Sequence, residues 1–99
     1  MDIRKTQNEE NVLLSLEGRL DTITAPKLQE ALSEAFPGAS VIELDFTGVE
    51  YVSSAGLRVL LQGEKKAKAA DKTMTLKNVS SEVMEVFEIT GFSGILNIC

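Results

Sequence analysis

Two adjacent serines, Ser53 and Ser54, stand where a predicted strand turns into a predicted helix. The first turn of a helix has backbone N–H groups without intrahelical partners and carries a partial positive charge. A serine hydroxyl there can cap the helix, and a phosphate on such a hydroxyl is tolerated. The pair is therefore either a simple cap or a site of reversible phosphorylation. A nucleophilic serine is disfavoured, because the segment lacks a Gly-x-Ser-x-Gly turn and the chain contains no histidine base.

A second polar segment, from Gly18 to Thr24, precedes the first predicted helix and is predicted to be a loop. In the simpler interpretation Asp21 or Thr24 stabilises the start of that helix, with Thr24 as the N-cap residue. In the functional interpretation Asp21, Thr22 and Thr24 lie beside the serine pair, because both segments follow the C-terminal ends of predicted parallel strands. Asp21 could then orient a hydroxyl or help to bind a metal-nucleotide carried by a partner.

The composition narrows the possible functions. The 99 residues are 43% hydrophobic and 25% charged, which suits a globular chain with one core. The net charge of −5 argues against a nucleic-acid surface and against unaided adhesion to anionic lipid. With Cys99 as the only cysteine and no histidine, neither a disulfide nor a zinc site is expected. We find no signal peptide or membrane-spanning run, and expect a cytoplasmic protein without cofactor or metal.

Hydrophobic periodicity predicts an α/β fold in one domain spanning residues 1–99, with the element order β-β-α-β-α-β-α-β. A hairpin opens the chain, and parallel right-handed crossovers follow, which gives a mixed sheet with helices packed on it. The predicted strands cover residues 2–7, 12–17, 41–46, 74–79 and 95–98, and the helices cover 25–35, 55–70 and 81–90.

The helix after the serine pair has a broad predicted apolar stripe, formed by Leu57, Leu60, Leu61, Ala67 and Ala70. Gly56 and Gly63 would allow this helix to approach a sheet closely. Lysines gather near its C-terminal end, where they complement the helix dipole or form a docking patch. The third helix is predicted to be capped by Ser80 or Ser81 and to end at Gly91.

In combination and order, three motifs resemble the STAS domain family, and within it the bacterial anti-sigma factor antagonists. The motifs are Gly18-Arg19-Leu20-Asp21 before a Thr-Ala helix start, Val41-Ile42-Glu43-Leu44-Asp45-Phe46, and Tyr51-Val52-Ser53-Ser54-Ala55-Gly56-Leu57. The late segment Glu88-Ile89-Thr90-Gly91-Phe92 extends the resemblance to almost the whole chain.

The resemblance implies a protein-binding module rather than an enzyme. It implies that the unmodified chain captures an anti-sigma factor with serine-kinase activity, which phosphorylates a serine at the start of the second helix. It also implies a separate serine phosphatase that resets the system. Aligned on Gly56-Leu57, the phosphoacceptor falls on Ser54, with Ser53 as the alternative. The implied partner-binding residues are Asp21, Thr22, Thr24, Ser53, Ala55, Gly56 and Arg58.

The chain also departs from the pattern of many antagonists. Ser53 stands where many have an aspartate immediately before the acceptor, and Ala55 stands where many have serine or threonine. Some STAS-like chains serve instead as unphosphorylated subunits of larger complexes, such as a lipid ABC transporter or a stress-signalling assembly. That role is the alternative to a phosphorylation-switched antagonist.

Overall fold

The computed structural model describes residues 1–99 and contains one four-stranded sheet whose strands lie side by side in chain order. The strands are β1 (Asp2–Asn8), β2 (Asn11–Leu20), β3 (Val41–Val52) and β4 (Thr73–Lys77), and the helices are α1 (Ala25–Ala35), α2 (Ser54–Ala69) and α3 (Ser81–Thr90). Single 3₁₀ turns lie at Phe36–Gly38 and Phe92–Gly94. Strand β1 is antiparallel to β2, whereas β2, β3 and β4 are mutually parallel. The predicted mixed sheet is confirmed.

One face of the sheet is apolar and covered by the helices. Residues on this face line up across the three parallel strands: Val12, Ile42 and Met74 in one row, Leu14, Leu44 and Leu76 in the next. All six side chains are buried. The residues between them, such as Glu43 and Asp45, are only half-buried and point to the opposite face. This period of two is the pattern of a sheet packed on one side.

Helices α1 and α2 both belong to crossovers that proceed in the same direction along the sheet, from β2 to β3 and from β3 to β4. Because such crossovers are right-handed, both helices pack on the same face and begin at the same edge. Helix α3 joins them through Phe87, whose ring lies 6.3 Å from that of Phe46 in an edge-to-face arrangement. The starts of α1 and α2 therefore meet at the C-terminal ends of β2 and β3.

Two strand predictions were wrong in extent. Gly18 to Leu20, predicted to be loop, continue β2, and β3 runs on to Val52. The pairing of β2 with β3 shifts register at two irregularities, and Gly18 has a φ of 115°. Such bulges interrupt the alternation of side chains on which the prediction depended.

The predicted last strand, 95–98, was also wrong. The segment forms a single parallel bridge between Ile98 and Leu76 after the 3₁₀ turn. Of this segment only Leu96 is buried, and Ile95 is exposed, so the apolar run lacks the continuous buried face of the strands in the sheet.

Helix α2 buries most of its predicted stripe, but Ala70 lies beyond the helix end and is exposed. Two further residues, Val59 and Glu64, are buried although the pattern did not single them out. Helix α3 begins after Ser80, which caps it, and ends at Gly91 in the left-handed conformation, as predicted. None of the three helices combines the length and the apolar character that crossing a membrane requires.

Candidate functional site

The two serines have separate structural roles. Ser53 is the N-cap of α2: its backbone is extended (φ −92°, ψ 175°) and its Oγ accepts a hydrogen bond from the Gly56 N–H at 3.4 Å. Ser54 is the first residue of the helix, and its side chain is exposed and makes no hydrogen bond to another residue. The structure therefore assigns the cap to Ser53 and leaves the Ser54 hydroxyl free.

This division predicts unequal effects of two alanine substitutions on stability. Ser53→Ala should lower the free energy of unfolding by about 1 kcal/mol, because the Gly56 N–H loses its acceptor. Ser54→Ala should change it by less than about 0.5 kcal/mol, as expected for an exposed side chain without partners. Urea denaturation of both variants measures the difference, and a larger loss for Ser54→Ala would show that the cap is assigned to the wrong serine.

The end of β2 is in direct contact with the start of α2 and is hydrogen-bonded to it. The Ser53 N–H donates to the Leu20 carbonyl at 2.8 Å. A Cβ on Gly56 would lie 2.6 Å from Cγ of Leu20 and 3.0 Å from its carbonyl oxygen, both too close for ordinary contact. Gly56 is therefore needed for the helix to approach β2. It is buried, so it supports the predicted partner surface from below and is not part of its exposed area.

The segment from Asp21 to Thr24 forms a tight turn held by its own side chains. Asp21 Oδ1 accepts hydrogen bonds from the backbone N–H groups of Ile23 and Thr24, both at 3.0 Å. The Thr24 hydroxyl accepts from the Asp21 N–H at 2.8 Å and donates to the Arg19 carbonyl at 2.7 Å. Thr24 is the N-cap residue of α1, as predicted, but its hydroxyl is committed to the turn and caps no helical N–H.

Asp21 is charged at neutral pH. The hydrogen bond from the Thr24 N–H, aided by the Thr24 hydroxyl, the Ile23 N–H and the positive charge of Arg19, holds the pKa of its carboxyl below the ordinary value. Arg19 Nε lies 3.8 Å from Asp21 Oδ2. Asp21 therefore organises the turn and carries a fixed negative charge at the edge of the sheet. No group of three or more His, Cys, Asp or Glu side chains is arranged to hold a metal ion.

Two exposed apolar side chains at this edge were missed by the sequence analysis. Ile23, at the tip of the turn, is 87% exposed, and Tyr51, at the end of β3, is 42% exposed. The Arg19 guanidinium lies 4.1 Å from the centre of the Tyr51 ring, which orders both side chains. The available indication was a single isoleucine inside the polar run Asp-Thr-Ile-Thr, which suggests an exposed position for it.

The structure brings the two predicted segments together across a shallow hollow of about 190 Å³. The hollow has the start of α1 on one side and the start of α2 on the other; it is lined by Thr22, Ala25, Pro26, Gln29, Ala55, Arg58, Val59 and Gln62. Of the predicted partner-binding residues, Thr22, Ala55 and Arg58 share this hollow. Asp21 and Thr24 lie in the turn beside it, and Ser53 lies beneath the helix start.

Comparison with known proteins matches the chain to a family. Residues 3–97 match the family described as "Mlab, STAS domain". A curated relative, the anti-sigma-B factor antagonist of Listeria monocytogenes, is 32% identical over 95 residues, which cover 95% of this chain and 83% of the relative.

Solved structures share the fold at lower identity. The anti-sigma factor antagonist SpoIIAA in its unphosphorylated form has a TM-score of 0.82 at 22% identity, over 99% of this chain and 88% of that one. The phosphorylated form of the Bacillus protein has a TM-score of 0.76 at 20% identity, over 99% of this chain and 91% of that one. The same fold thus accommodates both forms of that protein.

Proposed function

This chain belongs to the STAS domain family, and we propose that it is an anti-sigma factor antagonist switched off by phosphorylation of Ser54. In this proposal the unmodified chain captures an anti-sigma factor with serine-kinase activity and thereby frees a sigma factor for transcription. The observation that carries the proposal is the Ser54 hydroxyl, exposed and without a hydrogen-bond partner at the first position of α2. The name of the Listeria relative supports the class of partner.

The partner surface in this proposal surrounds Ser54. Ile23 supplies an exposed apolar anchor, and Thr22, Ala55 and Arg58 line the adjoining hollow. An apolar side chain surrounded by polar groups is the usual composition of a protein-binding patch. The patch is supported by Asp21, Thr24 and Ser53, because their hydrogen bonds fix the turn and the helix start.

The covalent step is a phosphoryl transfer carried out by the partner. The γ-phosphoryl group of ATP passes to the Oγ of Ser54, the hydroxyl proton is released, and ADP leaves. A serine phosphatase restores the hydroxyl by hydrolysis, which releases inorganic phosphate. This chain contributes only the acceptor oxygen and its position, so it needs no catalytic residue or cofactor of its own.

The helix start explains how the fold would survive the new charge. The phosphate adds about −1.5 to −2 charges at the positive end of the α2 dipole. The N–H groups of Ser54 and Ala55 have no protein acceptor and remain available to it. The partner, in contrast, loses a close neutral contact and meets an anion that must be desolvated. A loss of about 3 kcal/mol would weaken binding more than a hundredfold.

The test is phosphorylation by the partner itself, recovered with the unmodified chain and identified by mass spectrometry. Ser54→Ala should bind this kinase but incorporate no phosphate from ATP, because the acceptor oxygen is absent. Ser53→Ala is the matched control and should still be phosphorylated, on Ser54. Undiminished incorporation into Ser54→Ala would reject Ser54 as the acceptor. A bound partner without kinase activity would instead favour the alternative, an unphosphorylated subunit of a larger assembly such as a lipid transporter.

A further inference from the structure

Arg58 is an exposed cation without a partner, one helical turn beyond Ser54. The ion pairs of the structure are Arg19–Asp21 and Lys77–Glu43, and Arg58 takes part in neither. Residues four apart on a helix lie on the same face with Cβ atoms about 5–6 Å apart. The Arg58 side chain also borders the hollow beside Ala55, so it is available on the side of the helix where the proposed partner would dock.

We propose that the Arg58 guanidinium binds the phosphate on Ser54, so that phosphorylation withdraws Arg58 from the partner surface while it adds an anion. This inference rests on the proposed function, since it needs Ser54 as the phosphoacceptor. It adds a second effect to the switch: the unmodified chain presents a free cation, and the phosphorylated chain presents a neutralised one.

The electrostatics of the α2 start favour this pairing. No acidic residue occupies the first turn of α2, whereas α3 has Glu82 in its first turn. The positive end of the α2 dipole is therefore uncompensated, and Arg58 adds a further positive charge close to it. A phosphate on Ser54 would be attracted both by the helix start and by Arg58 one turn further along.

The hydrogen-bond donors at the helix start are too few to satisfy the phosphate alone. The Gly56 N–H is taken by Ser53 Oγ and the Leu57 N–H by the Ser53 carbonyl. Only the N–H groups of Ser54 and Ala55 remain for three phosphate oxygens. Arg58 supplies additional donors in a planar fork that matches two of these oxygens.

Other charged side chains near Ser54 are less suited to bind the phosphate. Arg19 already contacts Asp21 and lies over the ring of Tyr51. Asp21, directly after β2, and Glu50, near the end of β3, carry the same sign as the phosphate. Arg58 is therefore the cation that the sequence places one turn away and the structure leaves unpaired.

The experiment is a ³¹P NMR titration of the full chain with phosphoserine incorporated at position 54 during translation. A charge partner lowers the second pKa of a phosphate, because it stabilises the dianion. We expect that pKa to be about 0.4 unit higher in Arg58→Gln than in the unsubstituted phosphorylated chain. Arg58→Lys should fall between the two, because a lysine keeps the charge and loses the fork.

Lys65→Gln is the matched control, since it removes the same charge from an exposed position of the same helix. Lys65 is eleven residues beyond Ser54, about 16 Å along the helix, which exceeds the screening length of about 8 Å at physiological salt. Its substitution should leave the phosphate pKa unchanged. Circular dichroism of each variant verifies the fold.

Equal phosphate pKa values in the Arg58→Gln and unsubstituted chains would overturn the inference. That outcome would leave the proposed function intact, because it does not depend on where the phosphate finds its counter-charge. Failure of the kinase to phosphorylate Ser54 would instead reject the proposed function, and the regulatory role of Arg58 with it.

Discussion

The Ser54→Asp chain is expected to fold normally and to bind its anti-sigma factor about a hundredfold more weakly than the unmodified chain. An aspartate at the first position of α2 faces the positive end of the helix dipole, so it should stabilise the helix by about 0.3–1 kcal/mol. In the complex the same carboxylate would have to give up its water at the partner surface, at a cost of about 3 kcal/mol. Isothermal titration calorimetry measures the affinity, and thermal unfolding measures the stability.

Helix α3 provides an unusually close control. Ser81 is its first residue and follows the N-cap Ser80, whose Oγ accepts from the Val83 N–H at 3.2 Å. Ser53 and Ser54 stand in the same relation to α2. Ser81→Asp therefore makes the same substitution at the same helix position outside the hollow that Thr22, Ala55 and Arg58 line, and it should leave partner affinity unchanged. Equal affinity of Ser54→Asp and Ser81→Asp would contradict the charge switch.

The position of the candidate site in the fold could be inferred from the sequence because its determinants are local. The serine pair, the glycine two residues later and the amphipathic run that follows are all readable as a helix start. The adjacency of the Asp21 turn and the serine pair followed from topology, since parallel strands end at one edge of a sheet. Both expectations depend on chain order and residue type, and the hollow shared by Thr22, Ala55 and Arg58 agrees with them.

The roles of individual residues could not be predicted, because they depend on backbone angles and on contacts distant in sequence. Ser53 is the cap only because its backbone is extended while that of Ser54 is already helical. Thr24 stands at the N-cap of α1, but its hydroxyl donates to the Arg19 carbonyl and does not cap a helical N–H. Glu64 is 5% exposed through packing of α2 that no local pattern marks, since a glutamate among lysines is ordinarily on the solvated face.

Gly56→Ala is expected to have the largest effect on stability among the substitutions at this edge. The added methyl group would overlap Cγ and the carbonyl oxygen of Leu20, a fully buried residue at the end of β2. Since the carbonyl belongs to the backbone, α2 must move away from the strand, which costs about 3 kcal/mol. The higher helix propensity of alanine offsets up to about 1 kcal/mol of this cost, so the free energy of unfolding should fall by about 2 kcal/mol.

Gly63→Ala is the control that separates the steric overlap at Leu20 from the change in helix propensity. Gly63 lies in the same helix, so its replacement by alanine changes the helix propensity in the same way. Its added methyl group would meet the Met74 sulfur at 2.9 Å and the Leu32 Cδ1 at 3.3 Å, both in side chains that can shift. We therefore expect Gly63→Ala to be at least about 1 kcal/mol more stable than Gly56→Ala in urea denaturation. Equal stabilities would show that the Leu20 contact does not constrain the helix start.

The same substitution tests whether the geometry of the edge matters for recognition. When α2 moves away from Leu20, the hydrogen bond from Ser53 to Leu20 lengthens and the hollow between Thr22 and Ala55 widens. Gly56→Ala should then bind the anti-sigma factor more weakly even at a temperature where it is fully folded, whereas Gly63→Ala should bind normally. Undiminished affinity in folded Gly56→Ala would mean that the partner contacts each segment independently and that their close attachment serves stability alone.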